Sequence, residues 1–265
     1  MYTTFQLAKK YIRYYLTASN GKGHGTHSPF VFDFIIHVLN DDRHFYAYEA
    51  IERLRTDLTV DDTLLEVEDY GAGSVVSKTK NRRVNEIAKS ALKPKKFGQL
   101  MFRIMDYYGV KNALELGTSL GITTAYLAAA NTGAAITTME GAPAIAAVAK
   151  KNFARLQLQN IRLVLGNFDE TLRPTLVQTG KVDFAFVDGN HRKEPTLQYF
   201  EQLMLHSHDH TILIFDDVHW SSEMEEAWEI IKADSRVKLT IDLFFIGLVF
   251  LREDFKVKQH FTIRF

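Results

Sequence analysis

The sequence contains no cysteine. Disulfide bonds, thiolate metal sites and cysteine nucleophiles are therefore excluded, and any metal ion has to be bound by oxygen or imidazole ligands. Long hydrophobic runs are also missing, since no stretch of about 20 apolar residues is present that could span a bilayer. The N-terminal segment is amphipathic and is interrupted by Lys9, Lys10 and Arg13, so it lacks the apolar core of a signal peptide. We therefore expect a cytoplasmic protein without a membrane partner.

An excess of charge of one sign is absent as well, because 32 Lys and Arg residues balance 32 Asp and Glu residues. The field of the whole chain gives no general attraction to nucleic acid. One basic stretch keeps RNA open as a partner, and it consists of Lys78, Lys80, Arg82, Arg83, Lys93, Lys95 and Lys96. A solvated helix face is the simpler interpretation of that stretch.

From residue 112 onward, short apolar runs alternate with segments of helical spacing. The runs predict buried strands at 112–116, 135–139, 161–165, 182–187 and 211–215. The intervening segments predict helices at 122–130, 143–156, 170–178, 194–205 and 222–233, the last with Ser222 and Glu225 as a capping box. Because parallel strands need crossover helices, this alternation predicts a doubly wound, Rossmann-like α/β fold. Two further runs, at 239–243 and 248–251, are joined by a link too short for a crossover, so the last strand is predicted to be antiparallel.

The first 92 residues follow a different pattern. Helical spacing predicts helices at 5–17, 29–39 and 84–92. Ser28 is the expected N-cap of the second helix, with Pro29 in its first turn. Residues 62–83 are polar and irregular. We interpret 1–92 as a mostly helical N-terminal extension and 93–265 as the sheet domain.

A glycine-containing segment, E-L-G-T-S-L-G, lies at the end of the first strand of the sheet domain. Gly117 and Gly121 allow a tight turn and the close approach of a ligand. Their spacing differs from the G-x-G-x-x-G pattern of dinucleotide-binding proteins, and Glu115 would repel a pyrophosphate. A carboxylate here would attract an ammonium or sulfonium group. We therefore expect a cofactor that is cationic near this loop.

Two further strand ends complete the expected cofactor site. Glu140 ends the second strand, where an acidic side chain accepts hydrogen bonds from ribose hydroxyls. Asn167 and Phe168 follow the third strand and would frame an adenine. This order resembles the class I S-adenosylmethionine-dependent methyltransferases over residues 93–265. The resemblance implies S-adenosyl-L-methionine as cofactor, contacted by Glu115, Gly117, Thr118, Ser119, Gly121, Glu140, Gly141, Asn167, Phe168 and Asp188.

The segment KKFGQLMFRIMDYYGVKNALELGTSLGITTAYLA is most similar to the catechol and caffeoyl-coenzyme A type O-methyltransferases. The resemblance implies a divalent cation, such as Mg²⁺, bound by Asp188 in FVDGNH and by Asp216 and Asp217 in FDDVHW. It also implies a catalytic base at the position of His191. Asp217 stands where that family has asparagine, and His191 stands where it has lysine.

The residue types suit this chemistry. A cation that binds the acceptor's oxygens positions them and lowers the pKa of the acceptor, and carboxylates are ligands that Mg²⁺ prefers. Histidine, with an ordinary pKa of about 6.5, takes up protons near neutral pH. Asp188 and His191 are therefore the predicted catalytic residues. The alternative for Asp188 and Asp216 is that they cap the helices that follow.

Three closely spaced histidines, His206, His208 and His210, superficially resemble a metal site. They precede the fifth strand and would lie at the opposite edge of the sheet from the cofactor. We interpret them as part of a solvated turn.

We therefore predict S-adenosylmethionine-dependent O-methylation of a small molecule, assisted by a divalent metal. A methyltransferase for nitrogen or RNA is one alternative, although the DGNH segment lacks the Asn/Asp-Pro-Pro-aromatic motif of amide and adenine N-methyltransferases. A non-catalytic adenosyl-binding module is the other. Relatives of the catechol type include both monomers and dimers, so a homodimer stays open, and the acceptor is not determined by the sequence.

Overall fold

A computed structural model describes residues 1–23, 27–67 and 81–265. Its α-helices are α1 Thr4–Thr17, α2 Pro29–Phe34, α3 Tyr46–Val60, α4 Val84–Ala91, α5 Lys95–Tyr107, α6 Ile122–Ala130, α7 Pro143–Arg155, α8 Phe168–Thr179, α9 Lys193–Leu205 and α10 Ser222–Ala233. Its strands are β1 Leu64–Glu66, β2 Asn81–Arg83, β3 Asn112–Leu116, β4 Ala135–Glu140, β5 Ile161–Leu165, β6 Phe184–Val187, β7 Ile212–Asp216, β8 Leu239–Asp242, β9 Ile246–Phe250 and β10 Gln259–Thr262. A π-helical turn, Ile35–Leu39, continues α2.

The chain divides into two compact units. The central unit consists of Asp42–Thr179, and the terminal unit combines Met1–Asp41 with Gly180–Phe265. No helix in the described ranges has the length and apolar character that crossing a membrane requires.

In the central unit, β4 pairs in parallel with both β3 and β5. Helices α3, α4, α5 and α6 bury a shared apolar core that includes Tyr48, Phe102 and Tyr126. Gly98 in α5 makes this packing possible, because a Cβ at this position would lie 2.5 Å from the Tyr126 ring. The polar segment 62–83 is not wholly irregular, as β1 and β2 form an antiparallel pair at its ends. The sequence analysis missed these two strands because a strand of three residues is too short to show a clear alternation of apolar and polar residues.

In the terminal unit, the strands lie in the order β6, β7, β9, β8, β10. β6 and β7 are parallel, and β9 is antiparallel to both β7 and β8, which confirms the predicted antiparallel strand. β10, which was not predicted, pairs in parallel with β8. Gly247 in β9 lets α10 approach closely, since a Cβ there would lie 2.6 Å from the Trp228 indole.

Most element bounds agree with the sequence-based predictions, and β3, β5, α6 and α10 match them to the residue. The N-cap of α10 is Ser221 and not Ser222, because the Ser221 hydroxyl accepts a hydrogen bond from the Met224 N–H at 3.2 Å. Ser28 caps α2 as predicted. The sequence analysis missed α3, although its buried residues recur at helical spacing: Ala47, Tyr48, Ile51, Leu54 and Leu58.

Candidate functional site

The loop that follows β3, residues 117–121, is called the glycine loop. Gly117, Ser119 and Gly121 all have positive φ angles, of 106°, 48° and 83°. The backbone N–H groups of Gly117 and Thr118 both donate to the Met139 carbonyl at 3.0 Å. Gly121 precedes α6, and a Cβ there would lie 2.5 Å from the Phe153 ring. Both conformation and space therefore require glycine at position 121.

Glu115, just before the glycine loop, is completely buried. Its Oε2 atom accepts a hydrogen bond from the Thr138 hydroxyl at 2.6 Å and another from the Thr124 hydroxyl. The hydroxyls of Thr138 and Thr118 also lie 2.6 Å apart, so Thr118 is joined to the carboxylate through Thr138. This network ties β3, β4, α6 and the glycine loop together. A direct contact of Glu115 with a cofactor stays a prediction.

Glu140 at the end of β4 is only half-buried, and its carboxylate is held by two backbone groups. Oε2 accepts from the Ser119 N–H at 2.9 Å, and Oε1 accepts from the Ala142 N–H at 2.9 Å. The Ser119 hydroxyl oxygen is buried and has no hydrogen-bond partner within the described part of the chain. Gly141, also a predicted cofactor contact, lies between Glu140 and Ala142 in the sequence.

Asn167 and Phe168 form the start of α8, two residues earlier than predicted. The Asn167 side chain accepts from the Asp169 N–H at 3.1 Å, and its carbonyl accepts from the Thr171 N–H at 2.9 Å. These bonds cap the first turn and explain why the helix begins early. The preceding Gly166 has φ 133° and donates to the Glu140 carbonyl at 2.9 Å, so this turn is anchored to the end of β4.

In the terminal unit, one ligand atom each of Asp188, His191 and Asp216 lies within 4.8 Å of the other two. These three residues, which are candidate ligands for a metal ion, are called the metal-ligand cluster. Asp216 ends β7 and is 1% exposed, whereas Asp188 and His191 are half-buried in the loop after β6. The His191 Nε2 atom lies 3.5 Å from Asp188 Oδ1. Positive φ angles at Asn190 (68°) and His191 (30°) shape this loop.

Asp217 lies beside the metal-ligand cluster and not within it. Its Oδ2 atom is 3.9 Å from Nδ1 of His191, the ring nitrogen on the other side from Asp188. The backbone has φ 53° at Asp217, whose N–H donates to the Phe245 carbonyl at 2.7 Å. The His191 ring thus lies between one carboxylate of the cluster and one outside it.

The sequence analysis missed a buried network around His219. The ring nitrogens of His219 lie 3.0 Å from Glu225 Oε1 and 2.8 Å from Asp242 Oδ2. Burial alone would lower the pKa of His219, but its bonds to Asp242 and Glu225 outweigh burial and raise the pKa. Tyr2 and Lys10 also donate to Glu225, at 2.7 and 2.9 Å. Residues near the N-terminus therefore brace the segment after Asp217.

Of the three histidines before β7, His206 and His208 contact different groups, and the His210 N–H donates to His208 Nδ1 at 3.2 Å. His206 Nδ1 lies 3.0 Å from the Gly180 carbonyl oxygen, His208 Nε2 lies 2.8 Å from Asp183 Oδ1, and His210 is exposed. Within the described ranges they form no metal-ligating group with one another. Of the basic stretch, Lys78 and Lys80 lie outside the described residues, and Arg83 donates to the Asp62 carbonyl at 2.8 Å.

The chain is similar in sequence to known methyltransferases. Residues 114–218 match the family model described as a methyltransferase domain. The chain is 33% identical over 136 residues to O-methyltransferase imqG of Aspergillus flavus, covering 49% of this chain and 54% of that protein. It is 34% identical over 127 residues to a catechol O-methyltransferase of Niastella koreensis, covering 46% and 55%. The chain thus spans about half the length of the curated relatives it matches.

A solved structure extends the likeness to most of the chain. The SAH-bound methyltransferase PaMTH1 of Podospora anserina superposes with a TM-score of 0.58 at 14% identity, covering 85% of this chain and 97% of that chain. At this identity the likeness establishes the fold, which is the predicted Rossmann-like fold of class I methyltransferases. The predicted resemblance is confirmed to this extent: residues 114–218 match a methyltransferase domain, and the chain is similar to O-methyltransferases that include one of the catechol type.

Proposed function

We propose that this protein transfers a methyl group from S-adenosyl-L-methionine to an oxygen atom of a small molecule, with the help of a divalent cation. The observation that carries the proposal is the hydrogen bond from the Ser119 N–H to Glu140. It fixes the carboxylate that we expect to bind the ribose against a loop whose glycines would allow a ligand to approach the backbone.

The central unit offers groups for each part of the cofactor. Glu140 would accept the ribose hydroxyls, and Asn167 and Phe168 would border the adenine. The buried Ser119 hydroxyl would bind the polar amino-acid end, together with Thr118 and Gly141. Glu115 would supply negative charge near the sulfonium while its threonine network fixes the loop.

The terminal unit offers groups for the acceptor. The donor set of two carboxylates and an imidazole fits a divalent cation, which would lower the pKa of an acceptor hydroxyl that it binds. Asp188 and Asp216 would hold this ion, whereas Asp217, the third carboxylate predicted as a ligand, lies beside the His191 ring. His191 has two competing roles, as the base that takes the acceptor's proton or as a ligand.

A methyl-transfer assay tests the proposal. Catechol is the first acceptor to use, because the Niastella koreensis relative is named for it. We expect methylated product by mass spectrometry with S-adenosyl-L-methionine and Mg²⁺ or Mn²⁺. Cofactor binding without turnover on a panel of hydroxylated small molecules would favour the non-catalytic module.

Glu140→Ala separates cofactor binding from the rest of the reaction. Loss of two charge-assisted hydrogen bonds should weaken cofactor binding about 100-fold. Glu170→Ala is the matched control, since Glu170 is an exposed carboxylate on α8. Equal effects of the two variants would contradict the assignment of Glu140.

The cytoplasmic location, the division of the chain at residue 92 and a homodimer stay predictions. Small-molecule methylation is favoured over RNA methylation by the balanced charge of the chain.

A further inference from the structure

We infer that His191 is a protein ligand of the metal ion and that Asp217 orients its imidazole, so that the site takes Mn²⁺ or Co²⁺ in preference to Mg²⁺. This inference rests on the proposed function for the purpose of the metal, and it replaces the role of His191 as a base.

The first argument is the arrangement of the ligand atoms. In an octahedral site with metal–ligand bonds of about 2.1 Å, neighbouring ligand atoms lie about 3.0 Å apart and opposite ones about 4.2 Å apart. His191 Nε2 and Asp188 Oδ1 are 3.5 Å apart, and all three ligand atoms lie within 4.8 Å of one another. The separation of 3.5 Å is about 0.5 Å longer than that of neighbouring ligands, and the limit of 4.8 Å is about 0.6 Å longer than that of opposite ligands, so modest movements of these side chains would place the atoms around one ion.

The second argument is the position of Asp217. Histidines that bind metals commonly hold a carboxylate on the other ring nitrogen, which fixes the ring and its tautomer. Asp217 Oδ2 lies 3.9 Å from His191 Nδ1, while Nε2 is the nitrogen close to Asp188. The separation of 3.9 Å is an ion-pair distance, and an approach of about 1 Å would make it a hydrogen bond. The two carboxylates thus lie near different nitrogens of one ring, as a carboxylate–histidine–metal arrangement requires.

The third argument is the chemistry of the residue at position 191. A protonated lysine carries a positive charge and cannot bind a cation, whereas neutral imidazole is the commonest metal ligand in proteins. An imidazole ligand disfavours Mg²⁺, which prefers oxygen, and favours first-row transition metals. Once Nε2 is bound to the ion, its lone pair is no longer available for the acceptor's proton. The substitution of lysine by histidine therefore favours transition metals over Mg²⁺, and the acceptor's proton would pass to solvent water, because the bound ion would lower the pKa of the acceptor hydroxyl.

Pulsed electron paramagnetic resonance of the full-length protein loaded with Mn²⁺ tests the inference without measuring turnover. A nitrogen ligand gives ¹⁴N modulation of the Mn²⁺ echo, and we expect this modulation in the wild type and its loss in His191→Gln. His210→Gln is the matched control, because His210 is an exposed histidine outside the site, and it should keep the modulation. Wild-type protein without ¹⁴N modulation, or His191→Gln with it, would overturn the inference.

Metal titrations give a second readout. We expect Co²⁺ and Mn²⁺ to bind the wild type at least about 10-fold more tightly than Mg²⁺, and His191→Gln to weaken Co²⁺ binding about 10- to 100-fold with little change for Mg²⁺. Asp217→Asn should keep the modulation, since Asp217 contributes no ligand atom. Equal affinities for Mg²⁺ and Mn²⁺ in the wild type would contradict the preference, and a wild-type Co²⁺ affinity in Asp217→Asn would contradict the orienting role, because loss of the partner of a metal-bound histidine should weaken metal binding.

Cofactor binding, measured by calorimetry on the same samples, separates this inference from the proposed function. It also shows whether His191→Gln is folded. Modulation with no binding of S-adenosyl-L-methionine would support the metal site and contradict the methyltransferase. Cofactor binding without metal binding would contradict the metal site and support the methyltransferase.

Discussion

The glycine loop of the central unit and the metal-ligand cluster of the terminal unit both place carboxylates at strand ends, but they stabilise those carboxylates differently. Around the glycine loop, Glu115 accepts from two threonine hydroxyls and Glu140 from two backbone N–H groups. In the cluster, Asp188, His191 and Asp216 converge on one another. Negative groups brought together in this way repel one another unless a cation compensates them. The chain itself therefore preorganises the first region, whereas an ion would complete the second.

The largest effect is expected in the cluster. Asp188→Ala should reduce kcat by about 1,000-fold, because several kcal/mol of the stabilisation that a metal gives to the transition state would be lost. The affinity for S-adenosyl-L-methionine should change less than about 3-fold, although Asp188 was also predicted to contact the cofactor. Steady-state kinetics and calorimetry check the two parts. An unchanged kcat with weakened cofactor binding would assign Asp188 to the cofactor alone.

The His219 network shows that the terminal unit also contains a closed polar region. Burial alone would raise the pKa of Asp242, but its bonds to His219 outweigh burial and lower the pKa. Asp242→Asn should therefore reduce the free energy of unfolding at pH 7 by about 3 kcal/mol. Asp254→Asn, at an exposed ion pair with Arg252, should cost less than about 1 kcal/mol.

The pH dependence follows from the sign of that shift. A carboxyl group whose folded pKa is lowered stabilises the protein above its unfolded pKa of about 3.9, and this contribution disappears as the pH falls through the folded value. Wild-type stability should therefore fall below about pH 4, and Asp242→Asn should show a shallower fall. Urea unfolding between pH 2.5 and 7 checks this. Parallel curves for the two proteins would show that Asp242 is not a charged partner of His219.

Gly121→Ala tests how far the glycine loop depends on its backbone. Gly121 and Gly109 both have positive φ angles, but only Gly121 has a ring, that of Phe153, where a Cβ would lie. Gly109→Ala should cost about 1 kcal/mol for conformation alone, and Gly121→Ala about 2 kcal/mol more for the clash. Thermal unfolding of both variants measures the difference. Equal costs would mean that Phe153 moves away freely.

The smallest expected effect concerns the network of Glu115. Thr138→Val removes one hydroxyl donor from a buried carboxylate and should cost about 1.5 kcal/mol of unfolding free energy. Thr137→Val is the control, as Thr137 is also buried in β4 but lies on the other face of the strand. A similar cost for both would show that the carboxylate does not need Thr138.

The two regions also differ in how well the sequence predicted them. The bounds of β3 and α6 follow from local periodicity, and so does the order of Glu115, Gly117 and Glu140 along the chain. The partners of Glu115 depend instead on the parallel pairing of β3 with β4, which opposes Glu115 and Thr138. The register of this pairing cannot be recognised from the local sequence of either strand.

In the terminal unit, long-range contacts restrict even more strongly what can be predicted from the sequence. Lys10 and Glu225 are 215 residues apart, and neither has a local pattern that points to the other. The pairing of β10 with β8 is equally non-local. Asp188, His191 and Asp216 were predicted from residue types at strand ends and from the family resemblance. The position of His191 between Asp188 and Asp217 depends on the conformations of the loops after β6 and β7, which the sequence analysis did not predict.

Calorimetric titration of the wild-type protein with S-adenosylhomocysteine, and separately with NAD⁺, tests the central claim most directly. A glycine loop flanked by Glu115 and fixed to Glu140 should bind the adenosyl compound and repel a pyrophosphate. We predict saturable heat with S-adenosylhomocysteine and none with NAD⁺. Saturable heat with NAD⁺ and none with S-adenosylhomocysteine would contradict the account.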